Sequence, residues 1–478
     1  MKLKINSVIS RSLSLIDRNP ISNTFGCADR NYWHNNDGKG YSVDNFQVMC
    51  LGLSALYFET KNKKYYEFAK SVNNYFVRKV KNKGYSEEYF PGHESFCSMS
   101  YNLFATVVSN YLLGIKENNS FLKKYISKTL EINPPESANQ RVALFCADLL
   151  FSKKVNRKYF QKNLNKYIEE KKGIDISYLS KMLSIISWTC EVFRLRKKKI
   201  PLEIYEIISQ VTNVLNYYVI EKKIDILLGS RGNYHFLKSG LIYFSNNGIK
   251  NLDKILKIIN KNQEYQQVIN WEIADDKYFS FFHFNDEIFK FLYSKKKNKV
   301  FNIKNIFFKS INNLYDFSIY DLKINDEIFY INKNLIIQKK KYKKSLIYGL
   351  PIFNFGKNKK VFFISNILNV KKNKSSYTIF MNGNFQSLFT SNTAKSLSLR
   401  LFLKIITKIS IHRKLINKWI YNKSIAKNNE NIELKMIINQ KKINFKLKEK
   451  NLKYINLNNY HYSDGHAARF IKLFYARD

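Results

Sequence analysis

The chain has 478 residues, 45% hydrophobic and 15% aromatic. That is room for two or three domains at about 150 residues each, and it excludes disorder along the whole length. Its 81 Lys and Arg against 37 Asp and Glu give a formal net charge of +44, a surplus that attracts nucleic acid, membrane surfaces or acidic polymers. A coding sequence drifting towards A and T would also yield a chain heavy in Lys, Asn, Ile, Tyr and Phe and poor in Gly (16) and Pro (6), so charge alone does not choose a partner.

The N-terminus carries a basic cluster, but Arg11 and several serines break any apolar run and no small-residue cleavage site follows, so a secretory leader is not expected. No stretch of about 18 uncharged apolar residues occurs, which argues against a transmembrane segment. Cys27, Cys50, Cys97, Cys146 and Cys190 are odd in number, scattered and never spaced as CxxC. They read as reduced thiols in helices, consistent with a cytoplasmic protein and not with zinc bound by cysteine.

Residues 40–295 read mainly as helices. Val43–Glu59 puts Phe46, Met49, Cys50, Leu53, Leu56 and Tyr57 on one face, spaced at the three- and four-residue steps of a helix. Similar faces occur at Met99–Leu113, Val142–Phe151, Leu179–Phe193, Leu202–Ile220, Leu252–Ile259 and Asp286–Tyr293, with loops at Gly84, Pro91–Gly92, Pro134–Pro135, Pro201 and Asn246–Gly248. Serial helical hairpins without a fixed repeat suggest a closed toroid over a repeat array.

The run Lys295–Lys299 marks a boundary. Beyond it Phe317–Ile324, Glu327–Ile331, Leu335–Lys339, Val361–Ile367, Tyr377–Met381, Ile432–Ile438 and Ile443–Leu447 favour β-branched or aromatic residues that often alternate with polar ones, as strands do. Leu399–Ile425 fits a helix pair or strands. The expectation is a two-domain α+β protein: a helical domain over 1–295 and a β-sandwich-like domain over 300–478. Lysines are spread over both halves, and the runs Lys295–Lys299 and Lys339–Lys344 read as solvated loops or edge protection.

Polar residues cluster where neither period explains them. Gly26-Cys27-Ala28-Asp29-Arg30-Asn31-Tyr32-Trp33-His34 packs a carboxylate, guanidinium, phenol, indole and imidazole into one short stretch. Tyr85-Ser86-Glu87-Glu88-Tyr89-Phe90-Pro91-Gly92-His93-Glu94-Ser95 is a loop entering a helix, and Gly229-Ser230-Arg231-Gly232-Asn233-Tyr234-His235 is another. Gly173–Tyr178 and His461–Phe470 are weaker clusters. Each has an ordinary reading too: an Asp29–Arg30 ion pair, Ser95 as a helix cap, His93 as a loop histidine, Gly229 and Gly232 as turn residues. No GxGxxG, Walker A or GxSxG element occurs, and His461 and His466 are poorly spaced for a metal, so no cofactor or metal is expected.

In this order the clusters resemble the heparinase II/III-like superfamily, in particular its bacterial branch found with surface-polysaccharide biosynthesis genes. Gly26-Cys27-Ala28-Asp29-Arg30-Asn31-Tyr32-Trp33 resembles a G-C-x-D-R-x-Y-W opening. The loop at Tyr85, Glu87 or Glu88, Pro91, His93-Glu94 and Ser95 is similar to an F-x-E-x-x-P-x-E-x-S segment. Gly173-Ile174-Asp175-Ile176-Ser177-Tyr178 looks like a degraded G-G-A-D-x-G-Y. Gly229-Ser230-Arg231-Gly232-Asn233-Tyr234 matches a G-S-R-x-T/N segment. The resemblance covers the helical half well and the C-terminal half weakly.

The resemblance implies an incomplete (α/α) toroid, an antiparallel β-sandwich and a polysaccharide cleft. It also implies β-elimination at a uronic acid, which needs carboxylate neutralisation, a base for the C5 proton and an acid for the leaving oxygen. On the matching positions, Tyr89 with His93 is the first-choice acid/base pair and Tyr234 with His235 the second. Asp29, Arg30, Tyr32, Trp33, His34, Glu88, Arg231 and Asn233 are the candidate substrate-binding residues. Ile174 and Ile176 stand where the family has small residues, which puts activity in question. The implied partner is an acidic polysaccharide or lipid-linked glycan, with peripheral membrane contact left open. The alternative is a non-catalytic glycan- or membrane-associated protein of polysaccharide biosynthesis. Nucleic acid is not expected, because RNP-type basic aromatic strands are missing.

Overall fold

The computed structural model describes residues 2–35, 40–88, 91–132, 138–161, 176–216, 237–261, 283–297, 299 and 301–306, and then a series of strands between 320 and 475. The helices are α1 (Lys2–Leu13), α2 (Arg30–Trp33), α3 (Cys50–Thr60), α4 (Lys63–Lys83), α5 (Phe96–Leu113), α6 (Asn119–Leu130) and α7 (Ala138–Ser152). They continue as α8 (Arg157–Tyr159), α9 (Ile176–Leu195), α10 (Leu202–Asn216), α11 (Ser239–Asn246), α12 (Lys250–Lys261) and α13 (His283–Leu292). The chain is thus an α+β protein. It divides into two units, the first holding the described residues up to Ile306 and the second the strands from Tyr320 onward.

Local chemistry sets the helix ends. The Asn62 side chain accepts the Lys64 amide at the start of α4, and α4 stops at Gly84 with φ 81°. Ser95 caps α5, its Oγ accepting the Ser98 amide at 3.0 Å, which satisfies one of the orphan donors of a helix N-terminus. The stretch expected to be one helix from Val43 begins instead as a 3-10 turn, Asp44–Met49, and becomes α-helical only at Cys50.

Within the first unit, α3 packs on α5, α5 on α7, α7 on α9, α9 on α11, α11 on α13, and α13 back on α3. Helix α5 is buried on nearly every side, as a helix surrounded by others must be. The packing of α13 on α3 joins residues far apart in the chain. Asn285 Oδ1 accepts the Gly52 amide at 2.9 Å, and its Nδ2 donates to the Val48 carbonyl at 3.0 Å. Asp286 next to it accepts the Ser239 amide at 3.0 Å at the start of α11. Hydroxyl pairs bridge two other helix pairs, Ser54–Ser109 at 2.6 Å and Ser184–Ser239 at 3.2 Å. Trp188 on α9 lies edge-on to Phe289 on α13 and to Tyr293 just after that helix.

Residues 301–306, expected with the β half, belong to the helical unit. The Asn302 amide donates to Tyr205 Oη at 2.8 Å, and the Phe301 ring packs on Tyr205 and Phe244. Four of the cysteines lie in helices, but Cys27 sits in the loop before α2, and none of the five is in a disulfide.

The second unit holds two larger antiparallel sheets. One runs in order β1 (Tyr320–Ile324), β2 (Glu327–Ile331), β3 (Ile336–Lys340), β4 (Leu346–Ile347). The other runs β10 (Lys450–Leu452), β9 (Ile443–Leu447), β8 (Ile432–Asn439), β7 (Ser376–Ser387), β6 (Asn358–Asn373), β5 (Ile352–Phe355). A short pair, β11 (Tyr460–His461) with β12 (Phe474–Tyr475), completes the described strands. On β7 and β8, Tyr377, Ile379 and Met381 oppose Ile438, Met436 and Leu434 in register, and all six are buried. One face is thus an apolar stripe, as period-two alternation requires. The run Lys339–Lys344, read as a solvated loop or edge protection, begins inside β3, where Lys339 and Lys340 pair with Ile328 and Glu327. Residues 399–425 lie outside the described residues.

The Asn285 clasp is testable. Asn285→Ala leaves a buried helix N-terminal amide at Gly52 without its acceptor, a loss of about 3 kcal/mol for two buried hydrogen bonds. Urea unfolding reads it directly. A change below about 0.5 kcal/mol, as at an ordinary surface site, would mean that Asn285 does not fasten α13 to α3.

Candidate functional site

The first polar cluster is held down by backbone before any side chain acts. Gly26 has φ 86°, and a Cβ there would run into the Ser71 carbonyl of α4, so both conformation and close approach demand glycine. The Gly26 amide donates to the Asp17 carbonyl at 2.9 Å, and the Asp17 amide to the Cys27 carbonyl at 2.8 Å. Ala28 N donates to Gln47 Oε1 at 3.2 Å, and Asp29 Oδ2 accepts the Val43 amide at 2.8 Å. The cluster is therefore laid along α4 and the 3-10 turn that leads into α3.

The second cluster is fixed from the other side of the same turn. Lys79 on α4 is buried and donates to Asp44 Oδ1, to the Ser42 carbonyl at 2.7 Å and to Ser42 Oγ at 2.8 Å. It also pairs with Glu87 Oε2 at 3.1 Å. Asp44 Oδ2 accepts the Glu87 amide at 2.7 Å and Ser86 Oγ at 3.0 Å. Glu87 reaches forward, its Oε1 accepting the Gly92 amide at 2.7 Å, while Lys83 holds its other oxygen at 2.7 Å. The loop from 87 to 92 is thus closed on itself, one residue before His93. Ser42 Oγ meets Tyr75 Oη at 2.9 Å, which links the network back towards Cys27.

These surroundings set the proton affinities. Burial would drive the Lys79 ammonium to lose its proton, but Asp44 and Glu87 outweigh it and hold the amine above its ordinary value. Burial also works against Glu87, yet Lys79, Lys83 and the Gly92 amide keep its carboxyl below the usual glutamate range. Asp44, wholly enclosed, is pushed upward by burial against the pull of Lys79. Burial pushes the Cys27 thiol up to about 12, so it is an inert thiol. Burial also raises the Tyr32 phenol, with Lys79 opposing. That phenol stays protonated at neutral pH and suits proton donation rather than abstraction.

Several candidates have fold-holding bonds. Asp29 is buried and bonded to the Val43 amide. Glu88 accepts the Ser95 hydroxyl at 2.6 Å. The Trp33 indole donates to the Leu15 carbonyl at 2.8 Å, with His34 tilted against its ring at 5.3 Å. Arg30, Tyr32 and His93 are half-buried and His34 is exposed. The structure therefore brings Asp29, Tyr32, Glu88 and His93 around the Lys79 network. Tyr89, Arg231, Asn233, Tyr234 and His235 lie outside the described residues. Among the described residues no group of three His, Cys, Asp or Glu is placed to hold a metal.

Asp44 and Lys79, the centre of the arrangement, are not among the residues predicted for the site. The signal was present. Lys79 sits three, four and seven residues after the buried Phe76, Tyr75 and Val72, on the apolar face of an amphipathic helix where a lone lysine is out of pattern. Asn45 beside Asp44 is fully buried, and neither amide atom has a hydrogen-bond partner among the described residues.

No protein-family model matches the chain, and no solved structure matches it. A curated relative, Protein Ycf2 of Physcomitrium patens, is 27% identical over 355 residues, covering 67% of this chain and 14% of that protein. The chain thus spans about one seventh of the relative's length, and the likeness assigns no family.

Glu87→Gln removes the charge that joins Lys79, Lys83 and the loop, and is expected to cost about 2 kcal/mol at pH 7. Because the folded carboxyl titrates below its ordinary value, its contribution is full above the usual glutamate range, about pH 4.3. It is lost as pH falls through the depressed folded value. Stability curves of the two proteins should therefore converge on acidification. A gap that stays constant from pH 7 to pH 3 would show that Glu87 is not ionised in the folded protein.

Proposed function

We propose that the chain is a heparinase II/III-like, polysaccharide lyase-like protein acting on an acidic, uronic-acid-containing polysaccharide or its lipid-linked precursor. The observation that carries this is the meeting of two motifs of the resemblance, Gly26–Trp33 and Tyr85–Ser95, on the turn before α3: Asp29 and Ala28 bond to it at Val43 and Gln47, and Lys79 ties its Ser42 and Asp44 to Glu87. That network leaves Arg30, Tyr32 and His93 half-buried rather than locked in the core. The returning order of helix packing from α3 to α13 supports an (α/α) toroid, and the antiparallel sheets of the second unit support a β-sandwich.

In this reading a cation or amide neutralises the uronate carboxylate, which acidifies the C5 proton; Arg30, Arg231 and Asn233 have the required chemistry. A base removes that proton, the C4–O bond breaks as the C4–C5 double bond forms, and an acid delivers a proton to the departing oxygen. Tyr89 and His93 are assigned to these proton transfers, with Tyr234 and His235 as the second pair. Tyr32, held protonated, is a further donor. A second reading, a non-catalytic glycan-holding protein, is favoured by the fold-holding bonds of Asp29, Glu88 and Trp33.

Incubating the full chain with alginate, polygalacturonate and a glucuronate-containing glycosaminoglycan tests both. Lyase action yields an unsaturated product absorbing in the ultraviolet, and His93→Ala or Tyr89→Phe lowers its rate about 100-fold or more, as loss of a general acid or base does. Glycan retention without product, unchanged in both variants, selects the second reading. The absence of both product and retention overturns the proposal.

A further inference from the structure

A groove of about 420 Å³ lies between α1 with its following turn and the start of α4. Its polar lining is Asn6, Ser10, Ser14, Arg18, Lys64 and Tyr65, and none of these belongs to the Lys79 network. Among the described residues no carboxylate lines it and neither Arg18 nor Lys64 forms an ion pair. The first turn of α4 carries no acidic residue, and the Asn62 side chain that accepts the Lys64 amide there is uncharged, so no formal negative charge in that turn opposes the positive end of the helix dipole. Arg11 Nη1 donates to Ser14 Oγ at 3.1 Å, while that hydroxyl donates to the Arg11 carbonyl at 2.7 Å; the serine is thereby oriented. Tyr65 is half-buried and Arg18 and Lys64 are exposed.

We propose that this groove is a second binding subsite for acidic saccharide, taking a uronate-bearing segment of two or three sugar units. Its volume is within the range of about 300–1,000 Å³ typical of small-ligand sites. Its mixture of hydroxyls, an amide, one aromatic ring and two cations matches ring hydroxyls and a carboxylate. A nucleic acid would call instead for a longer cationic track and several stacking rings. The inference rests on the acidic-glycan reading but not on cleavage.

Titrating the full-length protein with a labelled tetragalacturonate tests it. Arg18→Glu with Lys64→Glu should weaken binding at least tenfold. The charge-matched control Lys198→Glu with Lys199→Glu, at exposed positions, should change it less than twofold. Equal loss in both would mean bulk charge attraction and overturn the subsite, as would stronger binding of an oligonucleotide or an anionic phospholipid vesicle that the Arg18/Lys64 change abolishes. Lyase product without any Arg18/Lys64 effect on binding refutes the groove and leaves cleavage standing. Groove-dependent binding without product does the reverse.

Discussion

One buried ammonium organises the first third of the helical unit. Removing a charge from water costs several kcal/mol unless its partners are well placed, and Lys79 has two carboxylates, a hydroxyl and a carbonyl around it. Its partners come from separate pieces of chain: Ser42 and Asp44 from the turn before α3, Glu87 from the loop before α5. The turn also receives the first motif through Asp29 and Gln47. Loops that would otherwise move separately are therefore tied to one point on α4. A site that must hold proton-transfer groups within a fraction of an ångström benefits from such support.

The same principle operates at the other end of the unit. Asn285 and Asp286 on α13 satisfy amides at the starts of α3 and α11, so helix N-termini that need acceptors select the neighbour they pack against. Hydroxyl pairs between adjacent helices serve similarly at smaller cost. The helical order is thus specified by polar bonds at particular points as well as by apolar area.

The element types were legible because helical and strand periods are long and repeated here. Glu327–Ile331 and Ile443–Leu447 match the expected strands residue for residue. Helix α4 carries the central lysine, yet its importance lay in a single residue out of pattern, and a periodicity reading averages such residues away. The start of α3 differed because Asp44 and Gln47 are buried polar residues bonded to loops, so the backbone there follows their bonds and not the helical period. Residues 301–306 joined the helices because Tyr205 and Phe244 offer an aromatic surface, a packing partner that no local signal announces. In the site, the residue types of both motifs were visible, but which carboxylate anchors the loop was not. Glu87 and Glu88 are adjacent and equivalent in sequence, and only the position of Lys79 separates them.

Native-state hydrogen exchange of the Val43, Glu87 and Gly92 amides tests most directly whether Lys79 makes one unit of the two motifs. These amides are bonded to Asp29, Asp44 and Glu87 respectively. The account predicts that they open together with a common free energy, and that Lys79→Met lowers protection at all three. If Lys79→Met frees Gly92 while Val43 keeps its full protection, the motifs are independent and the account is contradicted.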